Sequence, residues 1–198
     1  MAHATGTERW ANRMELKDAI TLRRAVRDYT AAAVDRKTIE VLLALAVLAP
    51  SARNRQPWAF AVLEDRARID DYARRAQQHL LDTTSAAELG ELRAQLLAPG
   101  FSIFYHAPVL LLVLAQSAAS QDVEDCCLAA QTLMLAARER ELGTCWIGLG
   151  RPWLNLPATQ AELALPAGCH VVAPIVLGHP ARWPEPHGRQ PPQIRWLG

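Results

Sequence analysis

The 198-residue sequence lacks the features that would direct it to a membrane or to nucleic acid. Residues 1–13 have no apolar core of the kind that a secretory signal requires. The longest apolar runs, VLLALAVLAP and APVLLLVLA, are shorter than the roughly 20 residues that span a bilayer. The 21 basic and 20 acidic residues give a net charge of +1, which offers no general attraction to polyanions. We therefore expect a cytoplasmic protein with neither nucleic acid nor a membrane as partner.

Motifs for common cofactors are also missing. The four cysteines, Cys126, Cys127, Cys145 and Cys169, show no CxxC spacing and are too few for a disulfide framework in a chain of this length. We interpret them as reduced, buried thiols, with a metal site as the alternative. No GxGxxG follows the first strand and there is no Walker A loop, which argues against a Rossmann dinucleotide site and a P-loop.

The pattern of apolar residues predicts a single domain over residues 1–198, in the α+β or mixed α/β class. Helices are predicted at 14–24, 36–49 and 123–142, and within 65–97 with breaks near the DTTS stretch and Gly90. Strands are predicted at 59–64, 107–115, 144–149 and 170–178. The strand at 107–115 is continuously apolar, which is typical of a central strand.

Local signals sharpen this prediction. Asp35 is a candidate N-cap for the helix that stops before Pro50, and Gly143 is a candidate C-cap for the long helix. Helix 36–49 is apolar nearly all round, so we expect burial on most of its sides. Pro174 removes a ladder donor, which predicts an edge strand or a bulge. The tail 179–198 contains five prolines and two tryptophans, which predicts an extended segment packed along a surface such as another subunit.

Two segments could bind a ligand, and each has a structural alternative. Arg23, Arg24 and Arg27 could bind a phosphate through guanidinium forks, or could be a solvated helix end. The segment GTCWIG at 143–148 could offer free backbone N–H groups to a ring nitrogen or carbonyl, or could be an ordinary core strand.

The loop PSARNRQPW at 50–58 is a third candidate. Its small residues Ser51 and Ala52 allow a flat ligand to approach the backbone, and Asn54 and Gln56 can bind the edge of a heterocycle. The alternative is a turn whose polar side chains satisfy the backbone of the loop itself.

Taken in order, five segments resemble the nitroreductase family of FMN-dependent oxidoreductases. They are AITLRRAVRDY, LLALAVLAPSARNRQPWAFAVLED, YHAPVLLLVLA, VEDCCLAAQTLMLAARERELGTCWIGLG and LPAGCHVVAPIVLGHP. The resemblance implies a layered α+β fold with a mixed, mostly antiparallel sheet, a long buried central helix and an extended C-terminal tail. It also implies a homodimer with two FMN molecules at its interface.

The resemblance assigns cofactor-binding roles residue by residue. Arg23 matches the phosphate ligand, with Arg24 beside it, and Arg27 matches a basic residue near the pyrimidine edge of the flavin. Arg27 is also the candidate electrostatic stabiliser, and no side chain is expected to act as acid, base or nucleophile. The remaining matches are Pro50, Ser51, Ala52, Asn54, Gln56, Ile147, Gly148, Leu149, His187 and Arg189.

The implied reaction passes hydride from NADH or NADPH through the flavin to a small oxidised acceptor, such as a nitroaromatic or a quinone, by a ping-pong cycle. Alternatives are a dehalogenase or flavin-fragmenting enzyme of the same fold, a flavin-binding protein without turnover, and an α+β domain with no cofactor. Ala25 and Thr132 stand where the family often has serine and asparagine. Tyr105 and His106 could touch substrate or could be packing residues at the entry to a strand.

Overall fold

The computed structural model describes residues 14–198. Its helices are α1 (Leu16–Leu22), α2 (Arg36–Ala46), α3 (Arg66–Thr83), α4 (Ala86–Leu89), α5 (Glu91–Leu96), α6 (Ser120–Glu139), α7 (Arg151–Leu154) and α8 (Pro157–Glu162). Its strands are β1 (Trp58–Leu63), β2 (Val109–Ala115), β3 (Gly143–Trp146) and β4 (His170–Gly178). The sheet order is β1-β2-β4-β3, and each neighbouring pair is antiparallel.

Two apolar layers enclose this sheet. One layer contains α2 and α6 and packs Leu42 and Leu133 against the sheet. The other contains α3, α5 and α7 and packs Tyr72 and Trp153 against the opposite face. Every residue of β2 is buried, which confirms the prediction of a central strand. None of the helices within residues 14–198 has the length and apolarity needed to cross a bilayer.

The predicted start of α2 is confirmed, but its predicted burial is not. The Asp35 carboxylate accepts a hydrogen bond from the Thr38 N–H at 2.9 Å, so Asp35 is the N-cap. Only one face of the helix is buried within the chain, through Ile39, Leu42 and Ala46. The following Leu48 is 74% exposed. The expectation of burial on most sides is therefore wrong for a single copy of this chain.

The C-terminus of α6 is closed by Glu141, and the assignment of Gly143 as its C-cap is wrong. The Leu142 N–H donates to the Ala137 carbonyl at 2.9 Å and the Glu141 N–H donates to the Arg138 carbonyl at 3.0 Å, which is a Schellman motif. Glu141 takes the left-handed position of that motif, with φ 57°. Gly143 instead begins β3, where a Cβ would lie 2.7 Å from Val26 Cγ2.

Pro174 lies in β4, an interior strand, so the first predicted alternative, an edge strand, is wrong. The second alternative was a bulge, and a register shift does lie near Pro174, opposite Val113 and Leu114 of β2. Pro174 is tolerated because its missing N–H faces the point where β3 ends. The Pro174 carbonyl still accepts a bond from the Ile147 N–H at 2.7 Å, but no N–H returns the bond. The Ile147 carbonyl bonds instead to the Gly150 N–H at 3.3 Å. The predicted strand 144–149 therefore stops at Trp146 and continues as a 3₁₀ turn, Gly148–Gly150.

The tail is extended, as predicted, and only its first part is attached to the body of the chain. Pro180 forms a bridge with Tyr29, and the Ala181 N–H donates to the Asp28 carbonyl at 3.0 Å. Residues 185–198 are exposed, and the indole of Trp196 is 87% exposed.

We predict that Glu141→Gly stabilises the fold. A side chain in the left-handed region costs roughly 1–2 kcal/mol, which glycine avoids. Removing about 1 kcal/mol of strain should raise Tm by roughly 2–4 °C for a domain of this size. Gly143→Ala is the control, and it should lower Tm because the new methyl group meets Val26. Thermal unfolding of both variants checks the assignment, and a lower Tm for Glu141→Gly would contradict it.

Candidate functional site

An extended arginine segment, residues 23–27, lies alongside β3 at the edge of the sheet. Ala25 forms a parallel bridge with Thr144, and the Val26 N–H donates to the Thr144 carbonyl at 3.0 Å. Val26 is fully buried in the space left by the missing Cβ of Gly143. The segment therefore holds a set position relative to β3.

Side chains alternate along this extended segment, so Arg23, Ala25 and Arg27 share one side. Burial raises the pKa of the Cys145 thiol, and the nearby charges of Arg27 and Arg23 oppose that rise. The Arg27 guanidinium also lies 5.8 Å from the centre of the Tyr105 ring. Burial raises the pKa of the Tyr105 phenol, and Arg27 again acts in the opposite direction. Arg23, Arg27, Tyr105 and Cys145 thus form one electropositive group.

The turn Gly148–Gly150 joins this group from the end of β3. Gly148 is exposed, and a Cβ built on it would meet nothing within 4 Å. The first N–H groups of a helical turn have no partner inside the turn, so this backbone offers donors to a ligand. At the other end of the turn, Gly150 packs so closely on Phe104 that a Cβ would lie 2.8 Å from the ring. Phe104 and Tyr105 thereby tie the loop before β2 to both the turn and the arginines.

The loop at 50–57 is strained and satisfies its own polar groups. The Ser51 hydroxyl accepts a bond from the Gln56 N–H at 3.0 Å, and the Asn54 side-chain oxygen accepts one from Gln56 Nε2 at 3.1 Å. Arg53, Asn54 and Gln56 have φ values of 53°, 54° and 49°. Left-handed non-glycine residues cost about 1–3 kcal/mol each and cluster where function requires a set geometry.

Two buried carboxylates in the first turns of α6, Asp122 and Asp125, hold this loop, and sequence reasoning missed them. Asp125 accepts bonds from the Ala52 N–H at 3.2 and 3.1 Å, one to each carboxylate oxygen. Asp122 forms an ion pair with Arg55 at 3.2 Å. Both acids are 2% exposed. Their spacing of three residues places them on one face of the helix, which was the available signal.

The loop at 50–57 and the arginine group lie at opposite ends of the folded molecule. Asp125 marks the loop end of α6, and Arg138 marks the arginine end, because the chain that leaves α6 there reaches Gly143, which packs on Val26. Thirteen residues of α-helix separate the two positions by about 20 Å. The sheet gives the same result, because Pro57 bonds to Gln116 at one end of β2 and Thr144 pairs with Leu177 at the other. A single copy therefore does not bring these two halves of the predicted site together.

The other sequence candidates are placed as follows. Arg24 lies on the opposite side of its segment from Arg23 and Arg27. His187 and Arg189 are exposed on the tail, and the Arg189 guanidinium bonds only to the carbonyls of His187 and Gly188 in the described part of the chain. His106 Nδ1 lies 2.8 Å from an Asp70 carboxylate oxygen on α3.

The cysteines are free thiols, three of them buried and Cys127 half-buried. Within residues 14–198 no three His, Cys, Asp or Glu side chains are grouped in a way that could hold a metal ion.

Comparison with known proteins agrees with this architecture. The sequence profile of the nitroreductase family matches residues 20–179. A Rhodospirillum rubrum protein named 5,6-dimethylbenzimidazole synthase is 33% identical over 175 residues, covering 80% of this chain and 78% of the relative. An Archaeoglobus fulgidus protein, named as a candidate NADH dehydrogenase/NAD(P)H nitroreductase, is 28% identical over 166 residues, covering 81% of this chain and 83% of the relative.

Among solved structures, a nitroreductase with bound FMN from Bacteroides fragilis has a TM-score of 0.81 at 20% identity, covering 93% of this chain and 100% of that chain. This likeness confirms the predicted nitroreductase-like fold. The profile spans most of the chain and the architecture agrees with it, and on those grounds the chain belongs to the nitroreductase family.

Proposed function

We propose that this chain is an FMN-dependent oxidoreductase that accepts hydride from NADH or NADPH and passes it to a small oxidised acceptor. A nitroaromatic or a quinone is the acceptor class, in a ping-pong cycle carried out by a cytoplasmic homodimer. The observation that carries the proposal is the placement of residues 23–27 alongside β3, the strand that runs into the open turn at Gly148. Family membership and the similar fold of the Bacteroides fragilis nitroreductase with bound FMN support the cofactor.

The residues present fit a flat cofactor that ends in a phosphate. Ala25 and Gly148 leave room for a ring system to approach the backbone, and the turn at Gly148 and Leu149 offers N–H donors. Arg23 is the candidate phosphate ligand, because a guanidinium fork donates two bonds to one phosphate. Arg189 and His187 are added on the resemblance alone.

Bound FMN would supply the hydride chemistry, which needs no acid, base or metal from the protein. The contribution of the chain is a positive charge near the flavin ring. Arg27 is held beside Tyr105, where its guanidinium can lower the cost of negative charge on a reduced ring. Tyr105, half-buried beside Arg27, is the proposed contact for an acceptor, whereas His106 is engaged with Asp70.

A second copy would complete the site. The loop at 51–56 lies about 20 Å from the arginine group of its own chain, so it can reach a flavin only in a partner. The face between α1, α2 and α6 that leads to this loop exposes large apolar side chains, including Leu16, Ile20 and Leu48. Obligate dimers commonly bury more than about 2,000 Å² of such surface.

A second candidate is a flavin-fragmenting enzyme. The observation that favours it is the 33% identity to the synthase from Rhodospirillum rubrum. Its product would be 5,6-dimethylbenzimidazole, which keeps the dimethylated ring that flavins carry. Aerobic incubation of the protein with reduced FMN, followed by chromatography, separates the two candidates by the presence or absence of that product.

We predict that the purified protein is yellow and releases FMN on denaturation. It should oxidise NADH or NADPH when supplied with a quinone or a nitroaromatic, with parallel lines in double-reciprocal plots, as a ping-pong cycle requires. Chromatography of the released flavin and steady-state kinetics check both points. FAD in place of FMN, or no flavin after reconstitution, would overturn the proposal.

We further predict different effects for two arginines of the same segment. Arg23→Leu should weaken FMN binding by roughly 1.5–3 kcal/mol, the scale of a hydrogen bond to a charged group, with turnover largely kept at saturating FMN. Arg27→Leu should lower the midpoint potential of bound FMN and slow its reduction even at full occupancy, because a charge that favours the reduced ring is lost. Affinity and potential are measured on both variants. Equal potentials would show that Arg27 is only a further phosphate ligand.

A further inference from the structure

We propose that Asp125 is a positioning residue, which sets the place of the loop at 50–57 against a flavin bound in the partner subunit. The inference rests on the proposed function and adds one residue to it. Asp125 lies on α6 and is 2% exposed. Its two carboxylate oxygens accept from the Ala52 N–H at 3.2 and 3.1 Å. Ala52 is one of the residues that the family resemblance assigns to the flavin, so Asp125 acts on the cofactor through Ala52.

The bonds inside the loop set its shape but not its place on the molecule. The Ser51 hydroxyl accepts from the Gln56 N–H at 3.0 Å, which closes the loop on itself. That bond would survive if the loop moved as one body. In the described part of the chain, the only hydrogen bonds and ion pairs that tie residues 51–56 to another element are those of Asp122 and Asp125. These two acids therefore fix the placement of the loop.

The two acids do not act in the same way. Asp122 pairs with the Arg55 side chain at 3.2 Å, and that side chain is 56% exposed. Water screens an ion pair with an exposed end, and a side chain can turn without moving the backbone. Asp125 bonds to a backbone N–H instead, so it fixes the path of the main chain at Ala52. Gln121 supports Asp125 by donating from Nε2 to one carboxylate oxygen at 3.1 Å.

Strain in the loop makes such an anchor necessary. Arg53, Asn54 and Gln56 occupy the left-handed region, and non-glycine residues persist there only where their surroundings over-determine them. A loop that is already ordered when the flavin arrives loses no further freedom on binding, which raises affinity. Without Asp125 the flavin itself would have to order the loop, so the affinity for FMN should fall.

The first test measures the affinity of three variants for FMN by titration of flavin fluorescence. Asp125→Ala should weaken binding about ten-fold or more, the scale of a hydrogen bond to a charged group, and Asp125→Asn, which keeps one acceptor oxygen, should lose less. Glu124→Gln is the control and should keep the parental Kd, because Glu124 neighbours Asp125 on α6 but is exposed. An unchanged Kd in Asp125→Ala would overturn the inference alone. A parent protein that binds no FMN would overturn the proposed function, and the inference with it.

Hydrogen exchange of the FMN-saturated proteins shows whether the loop itself has been released. The Ala52 N–H loses its acceptor in Asp125→Ala, so amides of residues 51–56 should exchange faster, while amides of β2 keep the parental rate. Faster exchange throughout the chain would mean that Asp125 only stabilises the fold, and would contradict a positioning role.

Subunit mixing gives a readout that a loss of stability cannot imitate. Asp125→Ala subunits are refolded with subunits that carry Arg23→Leu and Arg27→Leu, and FMN is added at a concentration that fills the parent but neither variant. Half of the dimers are then mixed and hold one intact site each, so about one quarter of the parental sites should return. Mixing with subunits that carry Asn54→Ala and Gln56→Ala should return none, because every site has a defective loop. Recovery with the loop variant, or no recovery with the arginine variant when mixed dimers form, would overturn the inference.

Discussion

The close approach of Val26 to Gly143 is the contact on which the arginine group depends. Val26 occupies the space that a Cβ at position 143 would fill, and its N–H bonds to Thr144. This contact lays the segment 23–27 alongside β3 in extended form. Alternation then sends Arg23 and Arg27 to one side and Arg24 to the other. One backbone contact thereby decides which arginines of the segment face the proposed flavin side.

Helix α6 sets the distance between the functional ends of the chain. Its first turns bury Asp122 and Asp125, which hold a loop that contains left-handed non-glycine residues. Its last turn stacks the Arg138 guanidinium on the Trp183 ring. A rigid helix of this length keeps the ends about 20 Å apart, so under the proposed function the loop and the arginines of one copy belong to different sites. The proposed homodimer would bring the loop of one copy to the arginines of the other.

Much of the fold could be predicted from the sequence, because apolar runs and caps act locally. The central strand β2, the N-cap Asp35 and the break at Gly90 were all predicted and are present. Gly143 was misread because a glycine after a helix is usually a C-cap, whereas this one makes room for Val26, a residue 117 positions earlier. The stop of β3 depends on Pro174 across the sheet, and the loop depends on carboxylates of a distant helix. Such contacts between remote residues are not visible in local patterns.

Mixing of two defective subunits tests most directly the claim that each site needs two copies. One variant carries Arg23→Leu with Arg27→Leu, and the other carries Asn54→Ala with Gln56→Ala. Each alone should bind FMN poorly. After unfolding and refolding together, random pairing makes half of the dimers mixed, and each mixed dimer has one intact site, so about one quarter of the parental sites should return. Recovery of FMN binding and turnover near that fraction is the predicted result, and no recovery, with mixed dimers shown to form, would contradict the account.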